Sequence, residues 1–173
     1  LCNSAITAFA ATTSYVVDND TSDTSNCYNI RVGYTAYISD SDYYNGDLRR
    51  TMASNSNDYY HWMRYNAFSN IVKYKPIVMS VGVYLKSSVL SDTAASYSVL
   101  QPNGSGANDL YSMFTMNQSL NANGWSYHSH TISYNYGTSG WFSIKGICVH
   151  PSGIGSGYSA ADAVSVYATT ANS

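Results

Sequence analysis

Apolar residues near the start of the chain recur at intervals of three and four positions. Such spacing is typical of one stripe of an α-helix. The stripe consists of Cys2, Ala5, Ile6, Phe9, Ala10 and Thr13. The sequence therefore predicts a first helix with Cys2 on its first turn, followed by a polar loop from Asp18 to Asn26.

A second region, from Asp47 to Val72, also shows helical spacing in pieces, and Pro76 ends it. The run from Ile77 to Tyr84 follows immediately and is rich in β-branched and apolar residues. Short apolar runs of this kind are typical of strands buried on both faces. We therefore expect residues 77–84 to form the central strand of a sheet.

The remainder of the chain shows weaker patterns. Residues 86–123 have no sustained period and predict a long irregular excursion. The segments His130–Tyr136 and Trp141–Val149, joined by Gly137–Gly140, predict a hairpin. Ser159 with Asp162 three residues later has the form of a helix capping box, which predicts a short terminal helix. This order of elements indicates an α+β fold.

The composition narrows the class of protein. A chain of 173 residues corresponds to about one domain. It is 45% hydrophobic, contains 18 Tyr and no Glu, and carries a net charge of −2. That charge gives no electrostatic reason to expect nucleic acid as a partner, and no apolar run is long enough to predict a membrane span. A surface of Ser, Thr, Asn and Tyr with few charges favours a secreted protein.

A cysteine on the first turn of a helix is a candidate nucleophile, because the helix N-terminus stabilises a thiolate. It needs a base, and the chain has four histidines. His130 begins a predicted strand, which would orient it as that base. His150 ends the next strand and could hold the His130 ring, and His128 is the reserve candidate. His61 has no evident relation to the others.

Three motifs give the chain a resemblance to a known family. They are Lys75-Pro76-Ile77-Val78-Met79-Ser80-Val81, His130-Thr131-Ile132-Ser133-Tyr134-Asn135-Tyr136-Gly137, and Ile147-Cys148-Val149-His150-Pro151-Ser152-Gly153. Together with Cys2 they resemble the papain-like cysteine peptidases of the bacteriocin-processing (double-glycine leader peptidase) branch.

The resemblance implies one papain-like domain over residues 1–173, acting on a peptide or protein substrate without a cofactor or metal. Cys2 would be the nucleophile, His130 the base and His150 the orienting residue. Three features depart from the family: no Gln precedes Cys2, a His replaces the expected Asp, and residues 86–123 are unusually long. A pseudoenzyme therefore remains an alternative.

The chain has three cysteines, which cannot all pair with one another. If Cys2 must be free to act as the resemblance implies, Cys27 and Cys148 become the natural disulfide pair. The rival pairing of Cys2 with Cys27 would block the nucleophile. A zinc site formed by Cys2, His128, His130 and His150 competes with the peptidase hypothesis, but its spacing is a weak signal.

A second function class, weighed as the alternative to the peptidase, also fits the composition. A secreted, non-catalytic module could present Tyr, Asn and Ser together with Trp62, Trp125 and Trp141 to a glycan or protein partner. Exposed aromatic residues on the excursion at residues 86–123 would favour this class, whereas burial of Tyr111, Phe114 and Trp125 would count against it.

Overall fold

A computed structural model describes residues 12–19, 27–64, 69–72, 77–86, 90–102, 108–132 and 141–170. Within these ranges the regular structure is almost entirely antiparallel β-strand, and the one helical element is a 3-10 turn at Tyr44–Gly46. The strands are β1 (Thr12–Val17), β2 (Cys27–Val32), β3 (Ala36–Ser39), β4 (Asp47–Met52), β5 (Tyr59–Arg64), β6 (Ser69–Val72), β7 (Ile77–Lys86), β8 (Ala95–Pro102), β9 (Asn108–Met116), β10 (Asn123–Ile132), β11 (Trp141–Ile144), β12 (Gly146–His150), β13 (Tyr158–Ala161) and β14 (Ala163–Thr170).

The strands form four sheets. A four-stranded sheet has the order β1-β14-β7-β10, and a five-stranded sheet has the order β2-β5-β12-β8-β9. A three-stranded sheet, β13-β4-β3, and a two-stranded sheet, β11-β6, complete the described structure. One apolar core joins residues of the two large sheets, so the fold is a β-sandwich.

The four-stranded sheet shows a clear alternation of side chains, because successive residues of a strand point to opposite faces. On β7, Met79, Val81, Val83 and Leu85 are fully buried, while the residues between them lie on the other face. On β14, Val164, Val166 and Ala168 are buried opposite them. The sheet therefore has an inner face against the core and an outer face.

The five-stranded sheet contributes the large aromatic part of the core. Tyr60, Trp62 and Tyr97 are completely buried, as are Ile147 and Val149 between them on β12. The Trp62 indole nitrogen donates a hydrogen bond of 3.0 Å to the main-chain oxygen of Asp162. This bond ties the five-stranded sheet to the junction between β13 and β14.

The prediction of an α+β, papain-like fold is wrong, because the segments expected to be helical in the described part of the chain form strands. Residues 47–72 contain β4, β5 and β6, and the segment that begins at Ser159 belongs to β13 and β14. From Val164 onward, the buried side chains of β14 are two residues apart, which is the period of a strand. Tertiary pairing with β7 and β1 therefore outweighs the local cap signal.

The predicted first helix falls mainly on residues 1–11, which lie outside the described residues, and so does Cys2. Thr12 and Thr13, at the end of that pattern, already belong to β1, which pairs with β14. The papain-like resemblance loses its structural basis, since the described chain is built from antiparallel sheets. None of the described residues belongs to a helix with the length and apolar character needed to cross a membrane.

Two further expectations are corrected. The segment from Lys86 to Asn123 is not uniformly irregular, because it contains β8 and β9, which pair with a register shift between Tyr97 and Ser98. That bulge interrupts the alternation that would have indicated strands. Residues 133–140 of the predicted hairpin lie outside the described residues; in its described parts, β10 pairs with β7 while β11 pairs with β6.

The prediction of a central strand at residues 77–84 is confirmed, but the expected burial on both faces is wrong, since Val78 on the outer face is 37% exposed. They belong to β7, which lies between β14 and β10 inside the four-stranded sheet.

Candidate functional site

The outer face of the four-stranded sheet carries a cluster of aromatic rings, here called the aromatic platform. It consists of Tyr44, Tyr84, Trp125 and Tyr127. Tyr127 is 66% exposed, and the other three are partly exposed. Large aromatic side chains exposed together on one face mark a candidate binding surface.

The register of β7 and β10 brings three of these rings together. Trp125 lies directly opposite Tyr84, with their ring centroids 5.4 Å apart. Tyr127 follows two residues later on the same face, and its ring is inclined by only 21° to that of Trp125 at a centroid distance of 6.1 Å. These two rings therefore present similarly oriented faces along β10.

Gly82 on β7 lies opposite Tyr127 and makes room for both β10 rings. A Cβ atom added to Gly82 would lie 2.8 Å from the Tyr127 ring and 3.1 Å from the Trp125 ring. The rings therefore lean over the β7 backbone at the one position of that strand without a side chain.

Tyr44 reaches the platform from the 3-10 turn. Its ring centroid lies 5.5 Å from that of Tyr84 and 5.7 Å from that of Trp125, both in edge-to-face geometry. The main-chain N–H of Tyr44 donates to a carboxylate oxygen of Asp162 at 3.1 Å. The backbone of Asn45 has a positive φ of 50°, a conformation that Asn tolerates better than most residues.

Polar groups surround the platform. The Tyr84 hydroxyl donates to the main-chain oxygen of Asp42 at 3.0 Å, and the Lys86 ammonium forms a 2.9 Å ion pair with the Asp42 carboxylate. Ser129 and Tyr167 are exposed farther along the same face. The surface thus combines aromatic faces with hydroxyl groups. The opposite charges of Lys86 and Asp42 in the ion pair beside it cancel.

The histidines expected to carry catalysis are not brought together. His130 and His128 lie on β10, on the face opposite the platform, whereas His150 lies on β12 in the five-stranded sheet. The His128 ring stacks on Phe114 at 4.0 Å, and burial lowers the pKa of both His128 and His130. The peptidase prediction is therefore wrong: its base and its orienting residue belong to different sheets.

His150 has a different set of neighbours. Its ring lies 5.9 Å from those of both Tyr59 and His61. Burial, and secondarily the nearby His150, lowers the pKa of His61 to about 4, so His61 is neutral at physiological pH. Within the described ranges, no three His, Cys or Asp side chains are arranged to hold a metal ion, and the zinc hypothesis gains no support.

The predicted disulfide between Cys27 and Cys148 is also wrong, since both are buried free thiols. β5 lies between their strands: Cys27 is opposite Arg64 and Cys148 is opposite His61. Two strand spacings amount to roughly 9–10 Å, whereas bridged cysteines have Cα atoms at most about 7 Å apart.

This arrangement predicts the reactivity of the two thiols. In a Cys2→Ser background, we expect Cys27 and Cys148 to resist Ellman's reagent in the native protein and to react fully in denaturant. Cys148 has no exposed surface, and burial raises the pKa of its thiol strongly. Release of both thiols without a reductant would verify that no disulfide links them. Rapid reaction of the native protein would contradict the burial.

The aromatic residues named from the sequence differ in their location and burial. Trp125 belongs to the platform, whereas Trp62 is buried in the core. Tyr111 and Phe114 are partly buried and pack on the core. Sequence reasoning missed Tyr44, Tyr84 and Tyr127. Two signals could have indicated them: the alternation Trp125-Ser126-Tyr127, and a glycine inside the apolar run of β7.

Comparisons with known proteins give distant structural likenesses. No family model and no curated protein sequence matches this chain. Among solved structures, it is similar to a Paenibacillus xanthan lyase, with 18% identity and a TM-score of 0.46 over 92% of this chain and 13% of that one. It is similar to the ANXUR2 extracellular domain from Arabidopsis thaliana, with 11% identity and a TM-score of 0.47 over 83% of this chain and 41% of that one.

A family 35 carbohydrate binding module from Clostridium thermocellum is similar at 18% identity and a TM-score of 0.43, over 86% of this chain and 100% of the module. The chain spans less than half the length of the xanthan lyase and of the ANXUR2 domain. All three TM-scores lie below 0.5. The assignment of function therefore rests on the geometry of the chain itself.

Proposed function

We propose that this chain is a secreted, non-catalytic carbohydrate-binding module whose aromatic platform contacts the sugar. The observation that carries the proposal is the pair of neighbouring, similarly oriented rings of Trp125 and the 66% exposed Tyr127. We further propose that residues 1–173 form one domain with this function.

The chemistry of the platform suits a neutral sugar. A pyranose ring has faces of C–H groups that pack on aromatic rings, and hydroxyl groups around its edge. The platform offers aromatic faces in its centre and the hydroxyl groups of Tyr127, Ser129 and Tyr167 around them. Aromatic residues with polar tips serve such mixed surfaces well.

The charge distribution favours a neutral ligand over an acidic one. Lys86 lies at the end of β7 beside the platform, and its ammonium is paired with Asp42. Acidic ligands are usually bound by unpaired Arg or Lys side chains. With its nearby cation already paired, the platform is better matched to an uncharged polysaccharide chain.

The test is a binding panel of soluble neutral and acidic polysaccharides in affinity electrophoresis. We expect retardation of the wild-type protein by at least one neutral polysaccharide. Tyr127→Ala is expected to reduce the retardation severalfold, because it removes the most exposed ring, while Tyr127→Phe retains most of it.

Leu120→Ala serves as the matched surface control, since Leu120 is 74% exposed on the turn before β10 and is not a residue of the platform. Its binding should equal that of the wild type. Failure of every polysaccharide to bind, or equal binding by Tyr127→Ala and the wild type, would refute the assignment.

A further inference from the structure

The outer face of the four-stranded sheet extends beyond the aromatic platform, from β7 to β14. Tyr167 on β14 is 47% exposed and belongs to this face, since its neighbours Val166 and Ala168 point into the core. In the part of the chain that the structure describes, no aromatic ring packs against Tyr167 and no hydrogen bond engages its hydroxyl. Tyr167 is therefore a further exposed ring on the face that carries the platform.

The register of the strands determines where Tyr167 lies relative to the platform. Tyr127 on β10 is opposite Gly82 of β7. Tyr167 on β14 is opposite Ser80 of the same strand. The two tyrosines are thus two strands apart across the sheet and two residues apart along it. Ideal sheet spacings place their Cα atoms about 12 Å apart.

The surface between the two tyrosines is low and uncharged. It contains Ser80 on β7 and Ser165 on β14, which lies opposite Gly82. Both serines are partly exposed. Their side chains are short, and each has a hydroxyl group that donates and accepts hydrogen bonds. A neutral, hydroxyl-bearing strip therefore connects the platform with Tyr167.

We propose that the sugar site continues from the platform across Ser80 and Ser165 to Tyr167, and that its ligand is a stretch of a linear, neutral polysaccharide. This inference rests on the proposed sugar binding by the platform. A span of about 12 Å is longer than one pyranose ring, so a chain of about three or more sugars is needed to contact both tyrosines. Tyr167 supplies the second aromatic contact, and the serine hydroxyls face the sugars between the two.

Two contacts on one ligand chain reinforce each other. Once the platform holds one sugar, the contact at Tyr167 becomes intramolecular, and it forms only if the ligand is long enough to reach it. The affinity should therefore rise with the length of the oligosaccharide until both contacts are made. The contribution of Tyr167 should be absent for short ligands and present for long ones.

The experiment measures the affinity for β-1,4-linked oligosaccharides of glucose, mannose and xylose, from disaccharides to hexasaccharides, by calorimetric or NMR titration. In the series that binds best, we expect the wild type to bind the hexasaccharide at least about tenfold more tightly than the disaccharide. Tyr167→Ala should lower the affinity for the hexasaccharide by about five- to tenfold and change that for the disaccharide by less than about twofold. Tyr167→Phe keeps the ring and should bind like the wild type.

Two further variants complete the comparison. Tyr127→Ala removes a platform ring and should weaken the binding of every length. Val32 is 46% exposed on β2 in the other large sheet, so Val32→Ala is the matched control and should bind like the wild type. The midpoint of thermal unfolding of Tyr167→Ala should stay close to that of the wild type, because an exposed side chain contributes little to stability.

The outcomes separate this inference from the proposed function. If Tyr127→Ala weakens binding but Tyr167→Ala matches the wild type at every length, the site ends at the platform and only this inference is wrong. Equal losses for the disaccharide and the hexasaccharide in Tyr167→Ala would also overturn it, because Tyr167 would then act through the platform. So would a polysaccharide that binds in the panel when no oligosaccharide does. If Tyr127→Ala has no effect, or if no carbohydrate binds, the proposed function fails and this inference fails with it.

Discussion

Replacing Trp125 with alanine is expected to lower the affinity of the chain for its polysaccharide at least tenfold. The indole ring contacts Tyr44, Tyr84 and Tyr127. Its loss removes one stacking face and also the support of the neighbouring rings. Side chains of this type at the centre of a binding surface commonly contribute about 2 kcal/mol or more. Calorimetric titration with a polysaccharide that binds in the panel measures the effect.

The comparison must separate binding from folding. Trp125 is partly exposed on the outer face, so Trp125→Ala should keep the circular dichroism spectrum and most of the stability of the wild type. Trp125→Phe retains an aromatic face and should bind with intermediate affinity. Wild-type affinity in Trp125→Ala would show that the platform is not the sugar site.

Replacing Trp62 with alanine is expected to lower the free energy of unfolding by about 3–5 kcal/mol. Trp62 has no exposed surface and is the largest fully buried side chain among the described residues. Its ring packs edge-to-face on Tyr60 at 5.1 Å, and its indole nitrogen bonds to the Asp162 main-chain oxygen. Urea denaturation followed by tyrosine fluorescence and circular dichroism measures the loss.

Trp62→Phe separates the two contributions. It keeps an aromatic ring in the core but leaves the Asp162 oxygen without its donor, which costs about 1–3 kcal/mol. Leu120→Ala, a substitution at an exposed position, should change stability by at most about 0.5 kcal/mol. A Trp62→Ala protein as stable as this control would contradict the described core.

The sequence contained enough information to locate β7 but not to assign the fold class. Eight largely apolar residues in succession predict a strand whatever surrounds them, and residues 77–84 belong to β7, which buries one of its two faces. The Ser159–Asp162 segment carries a cap motif, and the residues that follow it, Val164-Ser165-Val166, alternate in the period of a strand. Which of the two prevails depends on pairing with distant strands, and no local signal contains that information.

The candidate site was predictable only in part. Trp125 could be named as a binding residue of the alternative hypothesis, because exposed tryptophan is a common feature of binding surfaces. Its partners come from β7 and from a turn some 80 residues earlier in the chain, and only the register of β7 with β10 brings Tyr84 beside it. The histidines were misleading for the same reason, since His130 and His150 are close in sequence but pair with different strands.

Gly82 has no side chain, so a substitution at this position would change the orientation of the platform rings that lie over it. A methyl group introduced there would press against Ser165, Tyr127 and Trp125 while remaining hidden under the rings. The angle of the two β10 rings, and with it the shape of the proposed sugar ligand that they accept, could therefore be changed without altering an outward-facing atom of either ring. Position 82 is a natural starting point for engineering variants with new glycan preferences.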